Sequence, residues 1–206
     1  MRATPTGRLA PLPLAHWAPG SREILCGHVK AADRYLSDTP ECSPLPNVLG
    51  LLGHHPELGG AWLAYNGVLL DNPTLDPRLR ELMILRISWR TRAAYEWAQH
   101  VVAARAHGIT DDEITRIGLG ADAGVWTPLE SSLLAAIDQL IDHHQVDDST
   151  WALLEDSLEP RQLLEALFVA GTYVCLAMVF NSVALPLDPS IDLTAIPELP
   201  ELEDQS

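Results

Sequence analysis

The densest chemistry in the chain lies in Tyr95-Glu96-Trp97-Ala98-Gln99-His100, where a carboxylate and an imidazole interrupt an apolar stretch. Glu96 and His100 are four residues apart, so on an α-helix they stand on one face, one turn above the other. Ala93, Ala94, Ala98, Val101, Val102, Ala103 and Ala104 surround them with small side chains suited to close helix packing. Two ionisable groups on a packing face cost free energy unless they satisfy each other or serve a reaction. Burial pushes a carboxyl pKa up and an imidazole pKa down, so the pair is expected to share a proton and exchange it with a substrate near neutral pH. Fifteen residues before Glu96, Glu81 sits in a second apolar helical run, Leu79 to Ile87. Its expected task is to orient the imidazole or to hold a proton in reserve.

Neighbouring residues supply means of binding. Tyr95 and Trp97 offer a hydroxyl, an indole N–H and flat apolar walls, and Arg86 and Arg90, again four apart, could hold a substrate carboxylate. Bland readings stand beside these. A Glu-x3-His pair can be a structural hydrogen-bonded pair, and Glu81 can be a first-turn carboxylate favoured by the helix dipole. A Glu and a His at that spacing can also bind zinc or iron. No other His lies at helical ligand spacing, so no metal is expected. His54-His55 and His143-His144 are adjacent pairs that diverge around a helix, and they read as surface residues or helix ends. Nothing resembles a serine nucleophile elbow, a phosphate-cradling glycine loop or a nucleotide fingerprint.

These residues must be carried on helices, because helical periodicity dominates and no run alternates as a strand does. Ser21 could cap a first helix from Arg22 to Leu36. After a proline-containing loop from Pro40 to Pro46, Pro56 opens a helix reaching Leu70, and Asp76-Pro77 opens the next, reaching Trp89. Thr91 is expected to cap the motif helix, which stops at His107-Gly108. Thr110 to Glu113 is a capping box before a short helix, and Thr127-Pro128-Leu129-Glu130 opens another that extends to His144. Gly118 to Gly124 is a glycine- and alanine-rich connector between them and the best candidate for an internal boundary. Ser149 to Ser157 is a shorter helix. The run from Arg161 to Ala184 is apolar nearly all round, as in a bundle core or a subunit interface, and implies a homo-oligomer. The segment from Asp76 loosely echoes the one from Glu159, and Tyr95-Glu96 to His100 then faces Tyr173 to Met178 with the ionisable groups gone. The expected organisation is an extension and first helix over 1–44, a main domain over 45–188, and an acidic, proline-rich tail over 189–206, extended and partly disordered.

Composition narrows the partners. The chain has 206 residues, enough to bury a core, and a net charge of −15, which argues against nucleic acid and anionic membranes. No run of about 18 apolar residues predicts a membrane span. Three cysteines, Cys26, Cys42 and Cys175, form no CxxC pair and read as free thiols in a reducing cytoplasm, Cys26 and Cys175 as small core residues. Of 13 Lys and Arg, six (Arg78, Arg80, Arg86, Arg90, Arg92 and Arg105) fall between 78 and 105. They form solvated faces and interface pairs, or draw a small anionic substrate toward Glu96 and His100.

The block from Arg78-Leu-Arg-Glu through Tyr95-Glu-Trp-Ala-Gln-His to Ala104-Arg-Ala-His-Gly-Ile-Thr-Asp-Asp-Glu resembles the carboxymuconolactone decarboxylase family, as does the segment from Tyr173 to Asp188. The resemblance implies an all-α, alkylhydroperoxidase D-like bundle that assembles as a trimer or hexamer and works without a cofactor. In alkylhydroperoxidase D proteins the active-site pattern is Glu-x11-Cys-x2-Cys-x3-His. On this chain the Glu falls on Glu81 and the His on His100, while the cysteine positions hold Ala93 and Glu96. Without either thiol a dithiol peroxidase cycle cannot run there. The resemblance therefore implies the decarboxylase branch: loss of CO2 from an unsaturated lactone acid, with Glu81, Glu96 and His100 catalytic and Tyr95, Trp97, Arg86 and Arg90 around the substrate. The rival readings are a redox protein using a distant cysteine and a non-catalytic oligomeric binding protein.

Overall fold

The computed structural model describes residues 7–36 and 44–199, so Cys42 and part of the loop before Pro46 lie outside the described residues. The fold is all-α: ten α-helices and three short 3-10 turns, with no strand among the described residues. The helices are α1 Ser21–Leu25, α2 Lys30–Leu36, α3 Asn47–Leu52, α4 Pro56–Asp71, α5 Pro77–Thr91, α6 Ala94–Ala106, α7 Asp111–Arg116, α8 Pro128–His143, α9 Asp148–Glu155 and α10 Pro160–Val183. By contact the chain divides into two units, 1–73 with 182–191, and 74–181 with 192–206.

In the first unit the helix expected over Arg22 to Leu36 is two. Gly27 takes a positive φ of 85°, a conformation glycine adopts without a Cβ penalty, and separates α1 from α2. Leu25, Val29, Ala32, Leu36, Leu49 and Leu63 form the core.

The second unit is built around α5. Asp76 accepts from the Arg78 N–H at 2.8 Å and Pro77 holds the first helical position, so the start is capped as the sequence implies. From Arg80 to Ser88 every residue of α5 is buried. Such a helix cannot carry arginines without partners, and α8 provides them. Arg78, Arg86 and Arg90 meet Glu130, Asp138 and Asp142 at 2.8, 2.8 and 2.7 Å. Both sets step by eight and then four residues, so α5 and α8 run parallel, zipped by matching charges. Arg78 also binds Glu113, and thereby ties together the two glutamates that close the capping boxes of α7 and α8. Gly120 stands where the Arg86 guanidinium packs. Its φ is 65°, and a Cβ would lie 2.8 Å from Arg86 Nη2.

α6 follows α5 after a sharp reversal. Thr91 does not cap it; its hydroxyl donates to the Ile87 carbonyl at 2.7 Å. Arg92 turns the chain in the left-handed region (φ 57°), and Ala93 becomes the N-cap. The segment expected to be an extended tail docks. Arg105 donates to the Ala195 carbonyl at 2.7 Å, and Ile196 and Leu199 pack on the core formed by Leu82, Leu85, Trp97, Val101, Ile114 and Leu134.

α10 differs from its expectation too. Leu163, Ala166, Val169, Ala170, Tyr173, Ala177 and Phe180 form a buried face. Leu164, Phe168, Met178 and Val179 are exposed, and so is Cys175, which is therefore not a core residue. Over an 18-residue window its mean hydropathy is 2.1, which by length and composition alone would suffice to cross a membrane.

Candidate active site

The site forms where α5, α6 and α10 approach one another. Glu81 and Glu96 are each only 2% exposed. His100 lies one turn beyond Glu96 on α6, but its partner is on α5: Nδ1 stands 2.7 Å from Glu81 Oε2. The other Glu81 oxygen accepts from Arg80, Nε at 3.3 Å and Nη2 at 3.2 Å. The expected Glu96–His100 pairing is thus replaced by a Glu81–His100 pair. An ionised Glu81 accepts only, so Nδ1 is the donor, which leaves Nε2 as the working nitrogen. Nε2 has no hydrogen-bond partner among the described residues, and the His100 side chain keeps 17% of its surface open. The ring is steadied from α10 by Tyr173, edge to face at 5.0 Å between centroids and 89° between planes.

Glu96 is different in kind. It occupies the third position of α6, where the carboxylate of a capping box folds back onto the N-cap N–H. Here that N–H, of Ala93, is already given to the Ser88 carbonyl at 3.0 Å. Neither Glu96 oxygen has a hydrogen-bond partner among the described residues. Burial therefore acts unopposed and pushes the carboxyl well above the usual carboxylate range. A helix start favours an anion only modestly, so burial favours the neutral form of Glu96 over the ionised one. For Glu81, burial also pushes up, but the charge and hydrogen bond of His100, and after them those of Arg80, outweigh it and bring the carboxyl below its ordinary value. Burial thus moves the carboxyl of one buried glutamate up, while His100 and Arg80 bring that of the other down. Tyr173, buried and near both carboxylates, is held strongly toward its neutral phenol.

Of the four residues expected around a substrate, two are given to structure by the arginine zipper. Arg86 holds Asp138 and the carbonyls of Ile117 and Gly118, and Arg90 holds Asp138 and Asp142. The carboxylates they grip are the chain's own. Trp97 lies in the core with Leu82, Leu85 and Val101, and its indole donates to the Pro197 carbonyl at 2.7 Å. Tyr95 is buried and meets Phe180 edge-on at 5.2 Å, on α10. The two residues not foreseen are Arg80 and Tyr173. Arg80 is adjacent to Glu81, and adjacent helical residues diverge, so no spacing rule signals the contact. Tyr173 stood in the sequence as the echo of Tyr95, legible as packing but not as a neighbour of His100.

Elsewhere His55 caps the start of α4 and His144 closes α8 in the left-handed region (φ 61°), as adjacent pairs at helix ends should. Among the described residues no group of three or more His, Cys, Asp or Glu is placed to hold a metal ion. Cys26 is half-buried, its thiol pushed up by burial and then by the Asp33 charge.

The helical bundle has an all-α, AhpD-like fold. The family model of the carboxymuconolactone decarboxylase family matches residues 56–139 of the chain. Comparison with curated protein sequences gives no match. Among solved structures the chain is similar to an alkylhydroperoxidase AhpD core, an uncharacterised peroxidase-related protein from Ralstonia eutropha JMP134, at 17% identity over 91% of this chain and 95% of that one, TM-score 0.74. A peroxidase-related protein from Silicibacter sp. TM1040 matches at 16% identity over 93% and 96%, TM-score 0.73. The debrominase Bmp8, solved with 2,3,4-tribromopyrrole, matches at 14% identity over 91% and 94%, TM-score 0.67. At these identities the likeness establishes the fold and leaves the chemistry to the residues.

Proposed function

We propose that this protein is a cofactor-free acid–base enzyme that decarboxylates a small unsaturated lactone acid or moves a proton beside a carbonyl in one. The observation that carries the reading is the buried, unpartnered Glu96, whose carboxyl burial pushes up, one helical turn from a His100 held at 2.7 Å by Glu81. In the decarboxylation the carbon–carboxylate bond breaks, CO2 leaves, and the electron pair delocalises into the lactone carbonyl. His100 Nε2 carries the proton that the resulting carbanion takes up, and Glu81 stabilises the imidazolium form while it bears that proton. Glu96, whose neutral form burial favours, donates a hydrogen bond to the developing enolate oxygen.

The test is CO2 release and loss of lactone absorbance with carboxymuconolactone and related unsaturated lactone acids. His100→Ala is expected to lose about 10²–10⁴-fold in rate. Glu96→Ala is expected to lose about 10²–10³-fold, and Glu96→Gln less, since an amide still donates. Near wild-type rates in both His100→Ala and Glu96→Ala would sink the reading. Loss of activity with melting unchanged separates it from a binding protein in which the pair merely fixes the fold.

A thiol-based reading has the peroxidase-related and debrominase neighbours on its side. Against it, Cys175 is exposed on α10 two residues past Tyr173, and so projects away from the side that meets His100. A protein with Cys26, Cys42 and Cys175 all changed to Ser should keep full activity.

A further inference from the structure

α10 lays two aromatic rings edge-on against α6, and only one of them carries a hydroxyl. Phe180 meets Tyr95 at 5.2 Å between centroids, and Tyr173 meets His100 at 5.0 Å. Both α10 residues lie on its buried face, so packing alone is served by either ring. The hydroxyl of Tyr173 needs a separate account. A buried phenol ordinarily finds a hydrogen-bond partner. This one has none among the described residues, although Tyr173 is only 4% exposed. Nor is its oxygen sealed in, as the two Glu96 oxygens are, so part of its surface is open. His100, the ring in contact with it, is open too, at 17% of its side chain.

The charged groups around Tyr173 fix the state of its phenol. They are Glu81 and Arg80 from α5, and Glu96 beside His100 from α6. Burial first, and then the charges of Glu81 and Glu96, push the phenol far above its ordinary value, and Arg80 opposes them less strongly. Tyr173 therefore keeps its proton, and its O–H is free to donate. Glu96 stands in a like condition: both oxygens are unpartnered among the described residues, and burial favours the protonated form. Two groups that burial keeps toward their O–H forms, one on α6 and one on α10, thus stand beside the imidazole whose Nε2 is left to work.

Such a pair suits one kind of ligand. A cation gains nothing from O–H donors. An oxygen that takes on negative charge while conjugated to a flat carbon framework can accept from both, and away from water each bond counts for more. A phenol and a carboxyl held protonated by burial are chemically matched to an enolate oxygen.

We infer that the Tyr173 hydroxyl is a second substrate donor: with Glu96 it forms a two-donor site for the oxygen of a planar, conjugated enolate, and the site therefore binds phenolates, which share that charge and shape. The inference rests on the proton-transfer reading above and adds to it a residue and a ligand class. As charge moves from the reacting carbon to the carbonyl oxygen, both O–H groups strengthen their hydrogen bonds to that oxygen. Neither gives up its proton; His100 alone exchanges one.

The test uses the full chain and para-nitrophenol, whose ionised form is coloured. The wild type should hold it ionised at pH values below the free phenol's own pKa, because two donors favour the oxyanion. Tyr173→Phe keeps the ring against His100 and removes only the hydroxyl. Its melting should match wild type, while its phenolate affinity falls about tenfold or more and the bound phenol titrates closer to the free one. On a lactone acid the same variant should lose about 10²–10³-fold in kcat, with KM little changed. Should Tyr173→Phe not fold, fluorotyrosine in place of Tyr173 keeps ring and hydroxyl and, as the more acidic donor, should tighten phenolate binding. A wild type that binds no para-nitrophenol overturns the inference. So does a bound phenol that stays un-ionised, as in a merely apolar pocket, a folded Tyr173→Phe with wild-type phenolate affinity, or a fluorotyrosine protein that binds no tighter. The two readings fail separately. Phenolate binding that depends on Tyr173, with no lactone acid turned over, keeps the donor pair and discards the lactone substrate. Turnover that needs His100 but is indifferent to Tyr173→Phe keeps the acid–base enzyme and discards the second donor.

Discussion

Two faces of α5 carry the same kinds of charge and treat them oppositely. Toward α8, Arg78, Arg86 and Arg90 are answered one for one by Glu130, Asp138 and Asp142. Toward α6, Glu81 is answered by Arg80 and His100, but Glu96 has no hydrogen-bond partner among the described residues. The first face closes an electrostatic account within the fold; the second leaves one open. A buried carboxyl without a partner costs free energy that an apolar residue in its place would not. The contrast separates positioning from chemistry more sharply than the identity of the residues does.

The comparison breaks most decisively at His100. His100→Ala should cut turnover of an unsaturated lactone acid about 10²–10⁴-fold, while thermal melting moves little, because the ring is partly open and Arg80 still answers Glu81. Stopped-assay CO2 measurement and differential scanning calorimetry on the same preparation decide it. If the loss is in melting and not in turnover, the two faces of α5 do the same job after all.

The opposite outcome is expected on the other face. Asp138→Ala leaves Arg86 and Arg90 both short of a carboxylate, and Arg86 is only 6% exposed. Stability should fall by about 3 kcal/mol, read by denaturant titration, with turnover per folded molecule unchanged. A drop in turnover at constant folded fraction would return Arg86 to the site.

These arginines also mark how far the sequence can be read. The helices of the second unit were legible because their ends are written in local chemistry, as at Asp76-Pro77 and Thr127-Pro128, where cap and proline coincide. The Glu81, Glu96 and His100 trio was legible from burial and spacing. Its internal pairing was not, because a four-residue spacing places Glu96 and His100 on one face without saying which carboxylate the imidazole turns to. The matching steps of Arg78, Arg86, Arg90 and Glu130, Asp138, Asp142 were in plain view, but they signify only once α5 and α8 are known to run parallel. The tail failed for a related reason. Its prolines and acids describe an extended chain correctly, yet Ile196 and Leu199 are anchors whose receptor is assembled from distant helices.

That docked segment gives the next prediction. Ending the chain at Ile191 would uncover the core patch under Ile196 and Leu199 and leave the Trp97 indole N–H without its Pro197 carbonyl. The expected cost is about 2 kcal/mol in stability, seen as a lower denaturation midpoint with Glu81–His100 chemistry intact. A truncated chain that keeps its stability but loses activity would place Trp97 among the substrate contacts.

The smallest effect is the most specific, and it follows from the protonation of Glu96. Burial raises this carboxyl in the folded state above its value in the unfolded chain. Between the two values the folded protein holds a proton that the unfolded protein has released, so stability falls as pH rises through that window. Below the unfolded value both states are protonated and the group contributes no slope. Glu96→Gln removes the proton and the slope together. Wild type and variant should therefore run with parallel melting profiles at acid pH and diverge upward from there, the variant the more stable, by at most about 1.4 kcal/mol for each pH unit. Glu81, whose carboxyl is lowered, predicts the reverse sign: its contribution is present above the ordinary carboxylate value and is lost as pH falls through the lowered one. In Glu81→Gln the difference from wild type should accordingly shrink toward acid pH, while in Glu96→Gln it shrinks toward acid from the other side of zero. Two glutamates on neighbouring helices giving melting differences of opposite sign would be the thermodynamic signature of an acid and a carboxylate held apart by burial. Profiles of the same sign would mean that Glu96 finds a donor in solution and that the site is as closed as the arginine zipper.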